Sequence, residues 1–339
     1  MTGIRHNLTD LVRAGEWWEY KLAPILAAFY ATALTLQVPV SSLWPAALVL
    51  LLALVPGAAY VSVINDLTDR DEDLAAGKPN RLLGRPPAYA AALVAITAGL
   101  GIVFCILWRH DALLLGVYLA AWLAFSLYSL PPFRFKARGI LGVLCDASGA
   151  HLFPTLVGVI VACRAAADRP VSVAWLAAVG TWAFANGVRG ILWHQLTDRD
   201  NDRVAGVRTF AQLHPPHVAA RLGTYAVFPL ELAGLAAMLW QMRSVWAVGF
   251  LLLYALFAAI RTYRFALNPV IVAPKPRFLI VLHEYYDLFL PIAILLESRD
   301  WLVLAIHIVL FPNRLRHTFS DAVQLWRERR RPRHESGVR

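Results

Sequence analysis

Leu67-Thr-Asp-Arg-Asp-Glu-Asp-Leu-Ala-Ala-Gly77 returns 129 residues later as Leu196-Thr-Asp-Arg-Asp-Asn-Asp-Arg-Val-Ala-Gly206, identical at eight of eleven positions. Each copy closes a long apolar run, so carboxylates are concentrated twice where a hydrophobic segment ends. Acidic side chains in such places are costly unless something neutralises them, and a duplicated set points to a shared task.

The surroundings say what kind of solvent the chain meets. Of its 339 residues, 59% are hydrophobic and 16% charged, and the mean hydropathy is +0.55. The apolar residues fall in blocks of about 20, the length needed to cross a hydrocarbon core, and not in amphipathic stripes. The expected fold is an all-α polytopic bundle of nine transmembrane helices, near 22–40, 44–64, 88–108, 112–129, 139–162, 173–195, 222–241, 245–264 and 278–297. A shorter apolar piece, 301–312, reads as a tenth short span or a re-entrant segment. Residues 1–21 form an N-terminal segment, 22–297 the membrane domain, and 298–339 the short apolar piece with an Arg-rich tail.

Basic residues set the orientation, since cytoplasmic loops are enriched in Lys and Arg. Eighteen lie in the N-terminal segment and in the loops after spans 2, 4, 6 and 8, against five in the alternate loops. That places the N-terminus and both acidic repeats on the cytoplasmic side of a membrane; high Ala and Arg usage suggests a bacterial plasma membrane. The tail, with eight Arg, favours a tenth crossing. The net charge of +10 is spread over short loops facing anionic lipid, so no nucleic-acid partner is expected. Cys105, Cys145 and Cys163 form no CxxC pair and read as packing residues, and the N-terminus lacks the pattern of a cleaved signal peptide.

Asn65, Asp66, Asp69 and Asp73 are spaced to share a helix face if the second span runs on, and Asp198 and Asp202 repeat the i, i+4 spacing. Clustered hard oxygen ligands suit Mg2+, which retains phosphate oxygens as partners. A calcium-binding EF-hand loop is excluded, because its glycine and glutamate positions hold Leu74 and Asn80 here, and Arg203 and Thr209 in the second copy. Solvated loop acids and a transporter ion path are the competing readings of the same residues.

Asn65-Asp-x-x-Asp69-x-x-x-Asp73 resembles the first signature of the UbiA superfamily of intramembrane prenyltransferases. Asp198-x-x-x-Asp202 with Ala205-Gly-Val-Arg-Thr209 resembles its second, and Tyr128-Ser-Leu-Pro-Pro-Phe-Arg-Phe-Lys136 is similar to a loop of the chlorophyll-synthase branch. The resemblance covers about residues 15–300. It implies helices around a central lateral cavity, Mg2+ as cofactor, and transfer of a prenyl group from an isoprenoid diphosphate to an aromatic or other lipophilic acceptor. On it, Asp66, Asp69, Asp73, Asp198 and Asp202 are the catalytic acids, joined by Asn65 as metal ligands. Lys78, Arg81, Tyr128, Arg134, Lys136, Arg189, His194 and Gln195 are the expected substrate contacts. Gln195 departs from the pattern, since many members have an acid or Asn there. Rival readings are a membrane terpene cyclase working without acceptor, transfer of phosphoribose to a polyprenyl phosphate, and a non-enzymatic transporter or lipid-binding protein. Asp146, His151, His283, Glu284 and Asp287 are further ionisable residues inside spans, with either a proton-transfer or a mutual-pairing role.

Overall fold

The computed structural model describes residues 10, 12–166, 169–170 and 172–330, with the side chains of 328–330 left aside. Arg5 and the tail residues 331–339, both used in the charge argument, lie outside the described residues. The chain is a helical bundle: α1 (14–35), α2 (Val40–Thr68), α3 (Arg70–Ala75), α4 (Pro87–Leu107), α5 (Ala112–Ser129), α6 (Ile140–Ala165) and α7 (Val173–Thr197). It continues through α8 (Arg199–Val204), α9 (Phe210–Leu213), α10 (Pro216–Met242), α11 (Val245–Phe265), α12 (283–297), α13 (Trp301–Leu310) and α14 (Pro312–Arg330). Among the described residues, α2, α4, α5, α6, α10 and α11 are long and apolar enough to cross a membrane. Their outward faces carry exposed Leu, Ile, Val and Trp, as lipid contact requires.

Three expected spans take a different form. The run at 278–297 opens as a strand, β2 (Phe278–Ile280), paired in parallel with β1 (Asn268–Val270), and becomes helical at 283. The first and sixth runs are helical as α1 and α7, but their polar residues lower their hydropathy. The piece after 300 starts at one end of the bundle, where Asp300 accepts from the backbone N–H of Val40 at 2.8 Å and Ser41 at 3.1 Å. It then passes Tyr30 and Trp18 of α1, and α14 reaches Arg261 of α11 through Asp321 at 3.0 Å. Together α13 and α14 run the length of the bundle and do not turn back.

Four helices contain one π turn each: Trp18–Leu22 in α1, Ser148–Leu152 in α6, Gly223–Val227 in α10 and Tyr285–Phe289 in α12. Every one precedes a proline by two residues, at Pro24, Pro154, Pro229 and Pro291. A proline ring clashes with the carbonyl four residues earlier and offers it no N–H, so the helix widens at that carbonyl. Those carbonyls belong to Tyr20, Ala150, Tyr225 and Asp287, all inside the π turns.

Small residues set the central packing. A Cβ on Gly234 of α10 would stand 2.5 Å from the backbone nitrogen of Trp182, and one on Gly187 3.0 Å from Cα of Ala147. Helix α7 is therefore clamped between α10 and α6 at backbone contact. Gly234→Ala is expected to cost about 1–3 kcal/mol of stability through overpacking, visible as a lower unfolding midpoint in detergent.

Candidate active site

The sequence repeat is also a structural repeat. Helix α2 stops at Thr68, the chain breaks at Asp69 (φ −106°, ψ 11°), and α3 ends before Gly77 at φ +65°. Helix α7 stops at Thr197, breaks at Asp198 (φ −88°, ψ 5°), and α8 ends before Gly206 at φ +69°. The left-handed glycine turns each chain back toward its own acids. The expectation that Asp66, Asp69 and Asp73 lie on one unbroken helix is thus corrected: Asp69 and Asp198 occupy the joints between two helices. Their backbones still take one helical turn, with Asp73 N–H to Asp69 O at 2.7 Å and Asp202 N–H to Asp198 O at 2.9 Å.

Equivalent residues make equivalent bonds. Asn80 donates to Asp73 at 2.8 Å, and Thr209, its counterpart, to Asp202 at 3.2 Å. Arg70 donates to the Leu82 carbonyl at 3.2 Å, and Arg199 to that of Ala211 at 2.9 Å. Gln195 stands where the first copy has Asp66; its Oε1 accepts the Ala211 N–H at 3.3 Å, whereas Asp66 accepts the N–H of Arg81, one position earlier in its repeat, at 3.4 Å. Gln195 therefore anchors the loop after α8.

The two copies face one another. Lys78, at the end of the first, donates to Asp198 of the second at 2.9 Å. Gly139, ending the loop between α5 and α6, forms a β-bridge with Thr209, so that loop is fastened to the second repeat. The same loop reaches the first repeat, where Lys136 binds Asp69 and Arg134 binds Asp69 at 3.2 Å and Glu72 at 2.6 Å. Arg13, just ahead of α1, binds the buried carboxylate of Asp66, and Ser129 donates to Asn65.

Other expected contacts lie elsewhere. Arg189 is fully buried and forks onto Glu231 at 2.6 and 2.8 Å, with Tyr286 donating to the same carboxylate at 2.8 Å. Its guanidinium is spent inside the bundle and not on the acidic repeats. Arg81 turns to Glu16 at 3.2 Å and to the Asp10 carbonyl at 3.0 Å, and the exposed His194 stays 3.9 Å from Asp198. Of the ionisable residues inside spans, Glu284 pairs with Arg261, and Asp287 with Arg314 at 3.0 Å, whereas Lys21 and His151 meet each other at 3.1 Å.

Sequence reasoning passed over Arg13, Glu72, Asn80 and Ser129. The repeat itself held a signal for Asn80, which lies 129 residues before Thr209.

The UbiA prenyltransferase family model matches residues 22–275. This chain belongs to that family. Within it, a lycopene elongase/hydratase of Halobacterium salinarum is 31% identical over 202 residues, covering 58% of this chain and 67% of the relative. The fold is similar to a solved UbiA homologue from Archaeoglobus fulgidus, with TM-score 0.58, 16% identity, and 90% of this chain and 98% of that one covered. The same homologue bound to DMAPP and Mg2+ gives TM-score 0.53 at 16% identity, covering 92% and 98%. As a UbiA member the chain is an integral-membrane prenyltransferase.

Among the described residues no three His, Cys, Asp or Glu side chains converge on one metal position. The carboxylates of both repeats are met by cations, Lys78 on Asp198 and Arg134 with Lys136 on Asp69.

Proposed function

We propose that this UbiA chain transfers a prenyl group from an isoprenoid diphosphate to a lipophilic acceptor, with Mg2+ held by both acidic repeats. The observation that carries the reading is the Lys78–Asp198 contact, which ties the end of one repeat to the metal-binding acid of the other. Asp66, Asp69 and Asp73 would hold one side of the diphosphate, and Asp198 and Asp202 the other. Mg2+, when bound, supplies the charge neutralisation that makes diphosphate a leaving group. Lys78, Arg134 and Lys136 sit on the carboxylates, and by contacting phosphate oxygens they would stabilise the charge that builds as the allylic C–O bond breaks. The apolar span interiors would exclude water from the allylic cation. A nine-span core, read from the apolar runs, would carry the acids on the cytoplasmic face of the membrane, the side to which the basic-residue bias assigns them. The lycopene elongase/hydratase relative makes a polyene the first acceptor to try.

Purified protein with dimethylallyl diphosphate, lycopene and Mg2+ is expected to release diphosphate and yield prenylated lycopene by mass spectrometry. A cyclic hydrocarbon formed from a longer allylic diphosphate without acceptor would instead support a cyclase. No diphosphate release with any allylic donor would overturn the enzymatic reading.

Burial pushes the Asp73 and Asp202 carboxyls above the ordinary aspartate range. Mg2+ needs them ionised, so protons compete with the metal and binding releases protons. Apparent Mg2+ affinity is expected to fall as the pH drops through the window just above the usual aspartate pKa. Calorimetry in two buffers of different ionisation enthalpy measures the released protons.

A further inference from the structure

Helix α14 is fastened to the bundle by charge. The backbone N–H groups of Asn313 and Arg314 donate to the Glu19 carboxylate of α1 at 2.9 and 3.0 Å, and the Arg314 guanidinium lies 4.7 Å above the Tyr20 ring. Arg314, Thr318 and Asp321 then form one stripe, bonded in turn to Asp287, Glu284 and Arg261 of α12 and α11. Arg13, just ahead of α1, binds Asp66, so the start of α14 lies toward the end of the bundle that carries the acidic repeats.

The opposite face of the same segment has no such partners. Along α13 the outward residues are Trp301, Leu302, Ile306 and Val309, and the single ionisable group, His307, is buried. Beyond Asn313 the outward surface turns basic and aromatic: Arg316, Phe319, Ser320, Val323, Gln324 and Arg327 line a shallow groove of about 580 Å³, with Trp326 on its flank. Phe319 is 68% exposed and Trp326 53%. Bulk water is an unfavourable setting for those rings, and hydrocarbon an unfavourable one for two guanidinium groups. One layer suits both, the headgroup region, where aromatic rings settle and arginine heads reach phosphate. Among the described residues neither Arg316 nor Arg327 has an ion-pair partner. They stand eleven residues apart, about three turns, and so share one face of the helix.

We propose that the outward face of α14 is a binding site for acidic phospholipid headgroups, in the leaflet on the side of the acidic repeats. Arg316 and Arg327 present forked donors to lipid phosphates, while Phe319 and Trp326 rest against the glycerol and first acyl carbons. The groove carries no acidic side chain, so its positive charge is uncompensated. It therefore favours a headgroup of net negative charge over a zwitterionic one, whose own ammonium offsets the attraction. The site is independent of the reaction catalysed and stands whether or not prenyl transfer is confirmed.

Trp326 is the built-in reporter. The full chain in detergent is titrated with phosphatidylglycerol brominated on its upper acyl carbons, or with phosphatidylcholine brominated in the same way, and the Trp326 emission is taken as the difference between wild type and Trp326→Phe. Half-quenching by the acidic lipid is expected at a concentration at least tenfold below that for the zwitterionic one. In the Arg316→Gln/Arg327→Gln variant that concentration is expected to rise at least tenfold, each cation near an anionic surface contributing about fivefold. Both positions are exposed, so the variant is expected to keep the wild-type unfolding midpoint; should it not, Arg327→Gln alone is read, with a rise of about fivefold. Equal quenching by the two lipids overturns the proposal, because the face then lies in lipid without selecting a headgroup. A variant that binds the acidic lipid as wild type does overturns it too. So does an absence of quenching by either lipid, which would put the face in water or against another protein.

Discussion

Asp69→Ala and Asp198→Ala are each expected to slow magnesium-dependent diphosphate release by about 10³-fold or more, on the order of 4 kcal/mol of transition-state stabilisation. The size follows from what each change does to charge. Removing the Asp69 carboxylate takes away a proposed metal ligand and leaves Lys136 and Arg134 with Glu72 alone. Removing that of Asp198 leaves Lys78 without its partner across the cleft. In both cases one of the carboxylates proposed to hold Mg2+ is lost, and the cations proposed to meet phosphate lose the contact that positions them. Because the repeats act on one diphosphate, the double variant should be little worse than either single one. Phosphate-coupled release assays with and without chelator measure all three. Release near the wild-type rate in either single variant would remove the two-sided site.

Glu231→Ala is expected to produce the largest loss of stability, about 3–5 kcal/mol. Glu231 and Arg189 are both fully buried, and their double hydrogen bond is completed by Tyr286 and by the Ile271 carbonyl at 3.3 Å. Deleting the acid strands a guanidinium among apolar helices. Replacing both members together, as Arg189→Met with Glu231→Leu, should cost far less, because the desolvation penalty disappears along with the attraction. Unfolding midpoints in detergent distinguish the two, and a Glu231→Ala variant as stable as wild type would mean that the pair is hydrated.

The repeat made the site legible. Two copies of an acidic stretch, on the same side by the bias of basic residues, implied apposition, and the Lys78–Asp198 contact places them so. Less legible was the joint at Asp69 and Asp198: helical spacing alone extends the helix, whereas the glycine that ends each repeat reverses the chain within eight residues. Arg189 was misread for a related reason. A cation in a span invites a ligand, yet its partner Glu231 lies 42 residues away in another helix, and no local pattern links them. Residues 278–280 read as the start of a span because Phe278, Leu279 and Ile280 are apolar, but they pair as a strand with residues 268–270.

The π turns were written in the sequence in a form that hydropathy ignores. Pro24, Pro154, Pro229 and Pro291 all fall inside apolar runs, where they leave total hydrophobicity almost unaltered while forcing a wider turn upstream. Arg13 offered no comparable signal, since only the folded chain brings it to Asp66, 53 residues away.

The most direct measurement is the anomalous scattering of Mn2+ in crystals grown with a non-cleavable dimethylallyl thiolodiphosphate. One peak beside Asp69 and Asp73 and another beside Asp198 and Asp202, with the diphosphate bridging them, is the predicted result. A diphosphate bound away from either repeat, or metal at one repeat only, would contradict the account.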